Sequence, residues 1–158
     1  MRFLSEIELA ATEIFPEGSL PDNIRSETLP LYILQAALSK GCLWVASDSM
    51  NRPVGFIVLR VIKDIAYIIE LDVHPDHHRK SIGKALIEAA TVWARAQKLS
   101  ALTLTTFSTV PWNAPYYERL GFRRLEEYEL EGNLAAQLED EDKRGLKDRV
   151  AMRLNLNK

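Results

Sequence analysis

The feature that most constrains the fold is a change of hydrophobic period along residues 65–105. Ile65–Val73 is a run of apolar and β-branched residues typical of a buried strand, and a polar turn follows it. Ile82–Lys98 then places apolar residues at helical spacing, and Ala101–Thr105 returns to a strand pattern. A strand, a helix and a second strand in this order predict a crossover connection between two parallel strands.

The segments on either side complete a mixed α/β pattern. Strands predicted at Cys42–Ser47 and Val54–Ile62 form an antiparallel meander with Ile65–Val73 through short turns. The other predicted elements are helices at 2–15 and 28–40 around a loop at 16–26, then a short helix at 113–120, a strand at 122–128, a charged helix at 133–144 and a final strand at 149–155. The pattern predicts one mixed sheet flanked by helices, antiparallel in its early strands and parallel in the middle.

Length and composition narrow the class of protein. The 158 residues fit a single domain, 1–158, and a net charge of -2 gives no basic surface of the kind that a nucleic-acid partner favours. Cys42 is the only cysteine and lies in an apolar run, so it is expected to be a buried small hydrophobe. Glu6 and Glu8 come too early for a signal peptide, and no stretch is apolar enough to span a membrane. We therefore expect a soluble, cytoplasmic protein.

The polar turn before the long helix is the segment of the sequence that most clearly indicates a binding site. A helix N-terminus offers unpaired N–H groups and a partial positive charge, which suit a phosphate. Gly83 lets a phosphate approach the backbone closely, and Ser81 is small enough to cap the helix or donate a hydrogen bond. The basic residues of the turn are Arg79, Lys80 and Lys84. An ordinary capped helix with solvated basic residues explains this pattern equally well, and neither a Walker P-loop nor a Rossmann fingerprint is present.

Val73-x-Pro75 and the run from His78 to Leu86 resemble the acyl-CoA motif of the GNAT acetyltransferases. That motif usually reads Gln or Arg, two variable residues, Gly, one variable residue, then Gly or Ala. His78 stands in place of the usual Gln or Arg, and Ser81 stands in place of the first Gly. Backbone N–H groups do most of the phosphate binding, so both departures are tolerable, although they could weaken CoA affinity.

A second segment supports the resemblance. Trp112 to Phe122 is similar to the family's second signature, a Tyr-x-x-x-Gly-Phe that ends on a strand. The two motifs stand in the family's order with a helix and a strand between them, and the resemblance covers roughly residues 42–128. The family usually opens with a strand before its first helix. This chain starts in a helix at Phe3. Either that strand is missing, or the assigned start of the sequence lies after it.

The resemblance implies transfer of an acetyl group from acetyl-CoA, the cosubstrate, to an unidentified amine of a small molecule or protein. It also implies a GNAT fold in which a bulge splays the two central parallel strands. Leu71 and Val73 would present backbone groups to the pantetheine arm and the thioester carbonyl. The residues that would hold the pyrophosphate are His78, Arg79, Lys80, Ser81, Ile82, Gly83, Lys84 and Ala85. Family members often form dimers through the C-terminal edge of the sheet, so a homodimer is one expectation.

Three further residues are candidates for the site: Tyr117, Glu70 and Asn113. Tyr117 matches the family tyrosine that protonates the leaving sulfur, although a lone tyrosine on a short helix can equally pack in a core. Glu70 is the candidate general base, acting through a water, because burial in an apolar strand would raise its pKa. A glutamate at a strand end that faces solvent is the alternative. Asn113 would cap the short helix or bind CoA, and the capping role better suits an Asn at a helix start.

Other patterns leave alternatives open. The irregular phosphate turn also fits a non-catalytic acyl-CoA-binding module of the same fold. The histidines at 74, 77 and 78 lie too close together in one loop to converge on an ion, so no metal site is expected. Phe107 and Trp112, with Thr105 and Thr106, lie where an acceptor could approach. The acidic run 139–142 is predicted to be a solvated helix face.

Overall fold

A computed structural model of the chain describes residues 2–15, 20–25, 27–78 and 80–157. Its helices are α1 (Arg2–Thr12), α2 (Asp22–Arg25), α3 (Leu31–Ser39), α4 (Ile82–Ala96), α5 (Ala114–Arg119) and α6 (Gly132–Lys143). Its strands are β1 (Leu43–Ser47), β2 (Pro53–Ile62), β3 (Ile65–Val73), β4 (Ala101–Phe107), β5 (Arg123–Arg124) and β6 (Arg149–Asn155). The predictions made for Arg79 and for part of the 16–26 loop lie outside the described residues.

The six strands form one sheet in the order β1-β2-β3-β4-β6-β5. The first three strands pair antiparallel, β3 and β4 pair parallel, and β4, β6 and β5 pair antiparallel. This arrangement confirms the predicted mixed α/β fold. Within the described ranges no strand precedes α1, and β1 forms one edge of the sheet.

The core is centred on β2. Phe56, Ile57, Val58 and Leu59 are at most 1% exposed, since α1, α3 and α4 all pack against this strand. Burying each such side chain contributes roughly 2 kcal/mol, so these positions hold the helices on the sheet. Cys42 is buried in the same cluster, as predicted. No helix in the described ranges combines the length and apolarity needed to cross a membrane.

The parallel strands β3 and β4 pair over only part of their length. Ile65, Ala66 and Tyr67 pair with Ala101 to Thr103, and beyond this point the two strands are no longer paired with each other. The register of β2 against β3 shifts where Val58 faces Glu70 and the next residue faces Ile68, which leaves Ile69 as an extra residue. Such a bulge bends and twists a strand. The predicted splay is therefore present, and it opens the sheet toward the carboxyl ends of β3 and β4.

Two predicted elements differ from the structure. The strand predicted at 122–128 is reduced to Arg123–Arg124, and a 3₁₀ turn follows at Glu127–Glu129. The side chains of Glu126 and Glu129 each accept a hydrogen bond from the other's backbone N–H, and this capping box turns the chain away from β6. The predicted loop at 16–26 contains the short helix α2. The final strand at 149–155 is confirmed with the bounds predicted for it.

Candidate functional site

The gap between β3 and β4 leads into a cavity of about 570 Å³, which we call the central cavity. Its walls come from β3 (Ile68 to Asp72), β4 (Leu104 to Phe107), Tyr117 of α5, Glu8 of α1 and Glu141 of α6. The predicted residues Glu70 and Tyr117 therefore line the same space, although 47 positions separate them in the sequence. The fold brings them together because α5 follows β4 directly.

Three carboxyl groups cluster on one wall of the central cavity. One oxygen atom from each of Glu8, Glu70 and Asp72 lies within 4.8 Å of the others. Glu70 and Asp72 share a face of β3 because the bulge at Ile69 precedes both of them. Glu8 arrives from α1, where it is 5% exposed and both of its carboxylate oxygens accept from the backbone N–H of Leu29.

Burial makes all three of these groups hold protons more tightly. Desolvation, with the nearby Glu70 charge adding to it, raises the pKa of Glu8 to about 8. Desolvation also raises the pKa of Glu70, as the sequence analysis predicted, and raises the pKa of Asp72 well above its usual range with the help of Glu70. The three carboxyl groups therefore bind protons more tightly than ordinary carboxyl groups do, a property that suits a general base.

Tyr117 lies at the other side of the gap. It is buried among aromatic neighbours, 5.4 Å between ring centroids from Tyr116 and 5.6 Å from Phe122. Burial, followed by the neighbouring Tyr116, Asp72 and Glu70, raises the pKa of its hydroxyl far above the usual range. Tyr117 therefore keeps its proton at any physiological pH and can act as a hydrogen-bond or proton donor.

The turn before α4 has the backbone geometry that a phosphate site needs. Ser81 is the N-cap residue and takes the left-handed conformation, with φ 58° and ψ 24°, and its side chain makes no capping hydrogen bond. Of the two roles predicted for Ser81, its side chain does not cap the helix, and donation of a hydrogen bond to a ligand stays a prediction. The first bond of the helix runs from the N–H of Ala85 to the carbonyl of Ser81, which leaves the N–H groups of residues 82–84 without acceptors in the helix.

Some side chains around this turn are exposed, and one is hydrogen-bonded to the end of β3. Lys80 and Lys84 are exposed, while Nε2 of His78 lies 3.0 Å from the carbonyl oxygen of Val73 and ties the turn to the end of β3. The unpaired N–H groups, the left-handed Ser81 and the two lysines are features that suit an anionic ligand, and diphosphate binding at this turn stays a prediction. Among the described residues, the three histidines 74, 77 and 78 do not gather into a metal-binding set.

Comparison with known proteins decides which family this site belongs to. The model of the Acetyltransferase (GNAT) family matches residues 5–122. The chain is a member of the GNAT acetyltransferase family. It is 28% identical over 92 residues to N-acetyltransferase family 8 member 3 of Mus musculus, which covers 54% of this chain and 40% of that protein. A member 3 protein of Rattus norvegicus is 29% identical over 93 residues, with 55% and 40% covered. The chain thus spans less than half the length of these relatives.

Solved structures agree with the GNAT fold. A GNAT acetyltransferase of Staphylococcus aureus superposes with a TM-score of 0.71 at 19% identity, covering 99% of this chain and 92% of that one. N-acetylglutamate synthase of Neisseria gonorrhoeae, complexed with coenzyme A and N-acetyl-glutamate, gives 0.69 at 17% identity, with 97% and 32% covered. PaiA N-acetyltransferase of Thermoplasma acidophilum, in complex with coenzyme A, gives 0.67 at 17% identity, with 98% and 91% covered.

A buried polar network also lines the central cavity in this GNAT chain. Glu141 is 3% exposed and pairs with Arg149 at 2.9 Å. The hydroxyl of Thr105 donates to Glu141 at 2.6 Å, and Gln137 donates to the same carboxylate at 2.8 Å. The prediction of a solvated acidic face is therefore wrong at Glu141, although its neighbours in the run are exposed.

Asn113 also differs from its predicted capping role. It precedes α5, but its side chain makes no capping bond, and Oδ1 is buried with no hydrogen-bond partner among the described residues. Asn113 lines the central cavity instead. Of the residues expected near an acceptor, Thr105, Thr106 and Phe107 line this cavity. Trp112 is 38% exposed and packs edge-on against Phe15 at 5.9 Å.

Proposed function

We propose that this GNAT chain transfers the acetyl group of acetyl-CoA to a primary amine of a small molecule or protein. The observation that carries this proposal is the unpaired side of β3 beyond Tyr67, which faces a cavity lined by Glu70, Asp72 and Tyr117. A parallel strand pair that separates part-way leaves backbone donors and acceptors available to an extended ligand. Leu71 and Val73, which lie in the separated part of β3, are the residues proposed to contact the pantetheine arm.

The turn before α4 is proposed to hold the pyrophosphate. Ser81 keeps the turn in the conformation that exposes the N–H groups of Ile82, Gly83 and Lys84, while Lys80 and Lys84 supply positive charge. The proposed contacts also include His78, Arg79 and Ala85 of the same motif. Asn113 completes the set, because its unpaired Oδ1 needs a donor and an amide N–H of the bound arm would provide one.

Glu70 and Asp72 are proposed to remove the proton of the incoming ammonium. An amine acceptor is protonated at neutral pH and must become neutral before it attacks a thioester carbonyl. Carboxyl groups with ordinary pKa values would be too weak as bases, and the desolvation of this cluster raises the pKa of both residues. Asp72 thus joins Glu70 in the proposed base, and Glu8 adds to the rise in the pKa of Asp72.

Tyr117 is proposed to protonate the leaving thiolate. Acetyl-CoA supplies the activated acyl group, so the chain itself must provide orientation, a base and an acid. The hydroxyl of Tyr117 carries a proton throughout the working pH range and lines the central cavity with the carboxyl cluster. The nitrogen loses two protons in all: the first passes from the ammonium to Glu70 and Asp72 and on to water. Tyr117 gives its proton to sulfur as the carbon–sulfur bond breaks, and the second proton of the nitrogen returns Tyr117 to its protonated form as the amide forms.

Thiol release from acetyl-CoA with a panel of amines tests the proposal. Turnover with at least one amine is expected, and Tyr117→Phe should lower kcat by about a hundredfold or more while CoA still binds. Tyr128→Phe is the matched control, because Tyr128 is 88% exposed and should keep wild-type turnover. Binding of CoA without turnover for any amine would instead favour the non-catalytic acyl-CoA-binding module.

A further inference from the structure

A second cavity, of about 280 Å³, lies at the N-terminal end of α6, and we call it the α6 cavity. It is bounded by strands β4, β5 and β6 and by the first turn of α6. None of the residues that line it lines the central cavity. At about 30 Å³ per water molecule it has room for a ligand the size of roughly nine waters.

Thr103 provides a buried polar group without a partner in the wall of this cavity. Its side chain is 1% exposed, and Oγ1 has no hydrogen-bond partner in the described part of the chain. Thr105, two residues along β4, reaches Glu141 of α6, so alternation along the strand points Thr103 to the α6 side as well. A buried hydroxyl normally finds a partner, and a ligand in the α6 cavity would supply one.

The first turn of α6 offers further donors to the same space. The first hydrogen bond of the helix joins the N–H of Ala135 to the carbonyl of Glu131. The N–H groups of Gly132, Asn133 and Leu134 therefore lack acceptors within the helix, and Glu131 makes no side-chain cap. Asn133 and Leu134 line the α6 cavity, so the positive end of a twelve-residue helix faces it.

The rim of the α6 cavity carries two arginines and two glutamates. Arg123 is neutralised by Glu129, which lies 2.8 Å away. Arg153 lies directly across the strand pair from Thr103, and its Nε donates to Asn155 at 2.6 Å. Arg153 forms no ion pair within 4 Å with a carboxylate of the described residues, and at longer range it helps to lower the pKa of Glu129. Glu131 lines the same cavity and is exposed to solvent, which screens its charge.

We propose that the α6 cavity binds a small oxyanion, the carboxylate or phosphate group of a metabolite. Arg153 would pair with the anion, the first turn of α6 would donate backbone N–H groups to it, and Thr103 would donate its hydroxyl. A charge-assisted contact of this kind is stronger than a neutral hydrogen bond. The site is independent of the acetyl-transfer proposal, because it shares no lining residue with the central cavity.

Calorimetric titration with inorganic phosphate and with succinate tests this proposal. Saturating CoA is present throughout, so that the turn before α4 does not contribute a second phosphate site. Binding of at least one probe in the millimolar range is expected, and Arg153→Gln should weaken it by about tenfold or more. Phosphate and succinate together separate a phosphate source from a carboxylate source. Binding of neither probe would overturn the proposal.

Two further variants separate binding from folding. Thr103→Val keeps the shape of the side chain and removes the unpaired hydroxyl, so the melting temperature should hold or rise while probe affinity falls. Arg124→Gln is the matched control, since Arg124 pairs with Glu118 and does not line the α6 cavity. Equal affinities for wild type, Arg153→Gln and Thr103→Val would show that the probe binds elsewhere, and the proposal would fail.

Discussion

The hydroxyl oxygen of Tyr116 lies 2.7 Å from the point that a Cβ at Gly83 would occupy. Real Cβ atoms do not approach other atoms so closely, so a side chain at position 83 would have to displace the Tyr116 hydroxyl from its present place. The motif glycine thus has a packing role within the protein, beyond the close approach of a phosphate that the sequence predicts.

Gly83→Ala should therefore lower the free energy of unfolding by about 1–3 kcal/mol through overpacking against Tyr116. Tyr116→Phe removes the clashing oxygen, so the double variant should recover most of that loss. Urea denaturation of the single and double variants measures the coupling. Gly132→Ala is the control, because nothing lies within 4 Å of the added methyl. Additive losses in the double variant would contradict the account.

Ser81 carries a backbone strain that a glycine would relieve. Its φ of 58° lies in the left-handed region, which costs a non-glycine residue about 1 kcal/mol or somewhat more. Ser81→Gly should leave stability unchanged or raise it by up to about 1 kcal/mol, the gain being partly offset by the flexibility of glycine in the unfolded chain. Ser81→Val should lose stability, because a β-branched residue tolerates this region poorly. Urea midpoints that rank Val above Gly would contradict this expectation.

The carboxyl cluster predicts a pH-dependent stability. Because the pKa of Glu8 rises from its unfolded value of 4.5 to about 8 in the folded protein, the native state binds more protons between these values. Stability should therefore fall as pH rises through this window and level off above it. Glu8→Gln should be more stable than wild type near about pH 9, with a much smaller difference near about pH 5. Equal differences at both pH values would argue against a protonated Glu8.

The buried pair of Glu141 and Arg149 should matter far more than an exposed pair. Arg149→Gln leaves the buried carboxylate of Glu141 without its cation, and we expect a loss of about 3–5 kcal/mol in the free energy of unfolding. Arg123→Gln breaks the more exposed pair with Glu129 and should cost less than about 1 kcal/mol. Chemical denaturation compares the two, and similar losses would contradict the assignment of Glu141 to the buried network.

The sequence predicts the parts of the fold that local pattern determines. The period change along residues 65–105 identifies the parallel strand pair, and the motif around Gly83 locates the helix start. The sequence does not predict the burial of Glu8 and Glu141, because each lies in an amphipathic helix, where a carboxylate is normally solvated. Their burial depends on contacts with Leu29 and Arg149 that only the folded chain creates. Local pattern also missed the turn at Glu126–Glu129, where two side chains compete with strand pairing.

The proposed acetyl-CoA site has two parts. The opening between β3 and β4 receives the thioester arm, and the turn before α4 holds the diphosphate. Electron density from crystals grown with CoA tests it most directly. We expect density for the pantetheine arm alongside β3 beyond Tyr67 and for the diphosphate at the N–H groups of residues 82–84. CoA bound elsewhere, or strands that close together beyond Thr103, would contradict it.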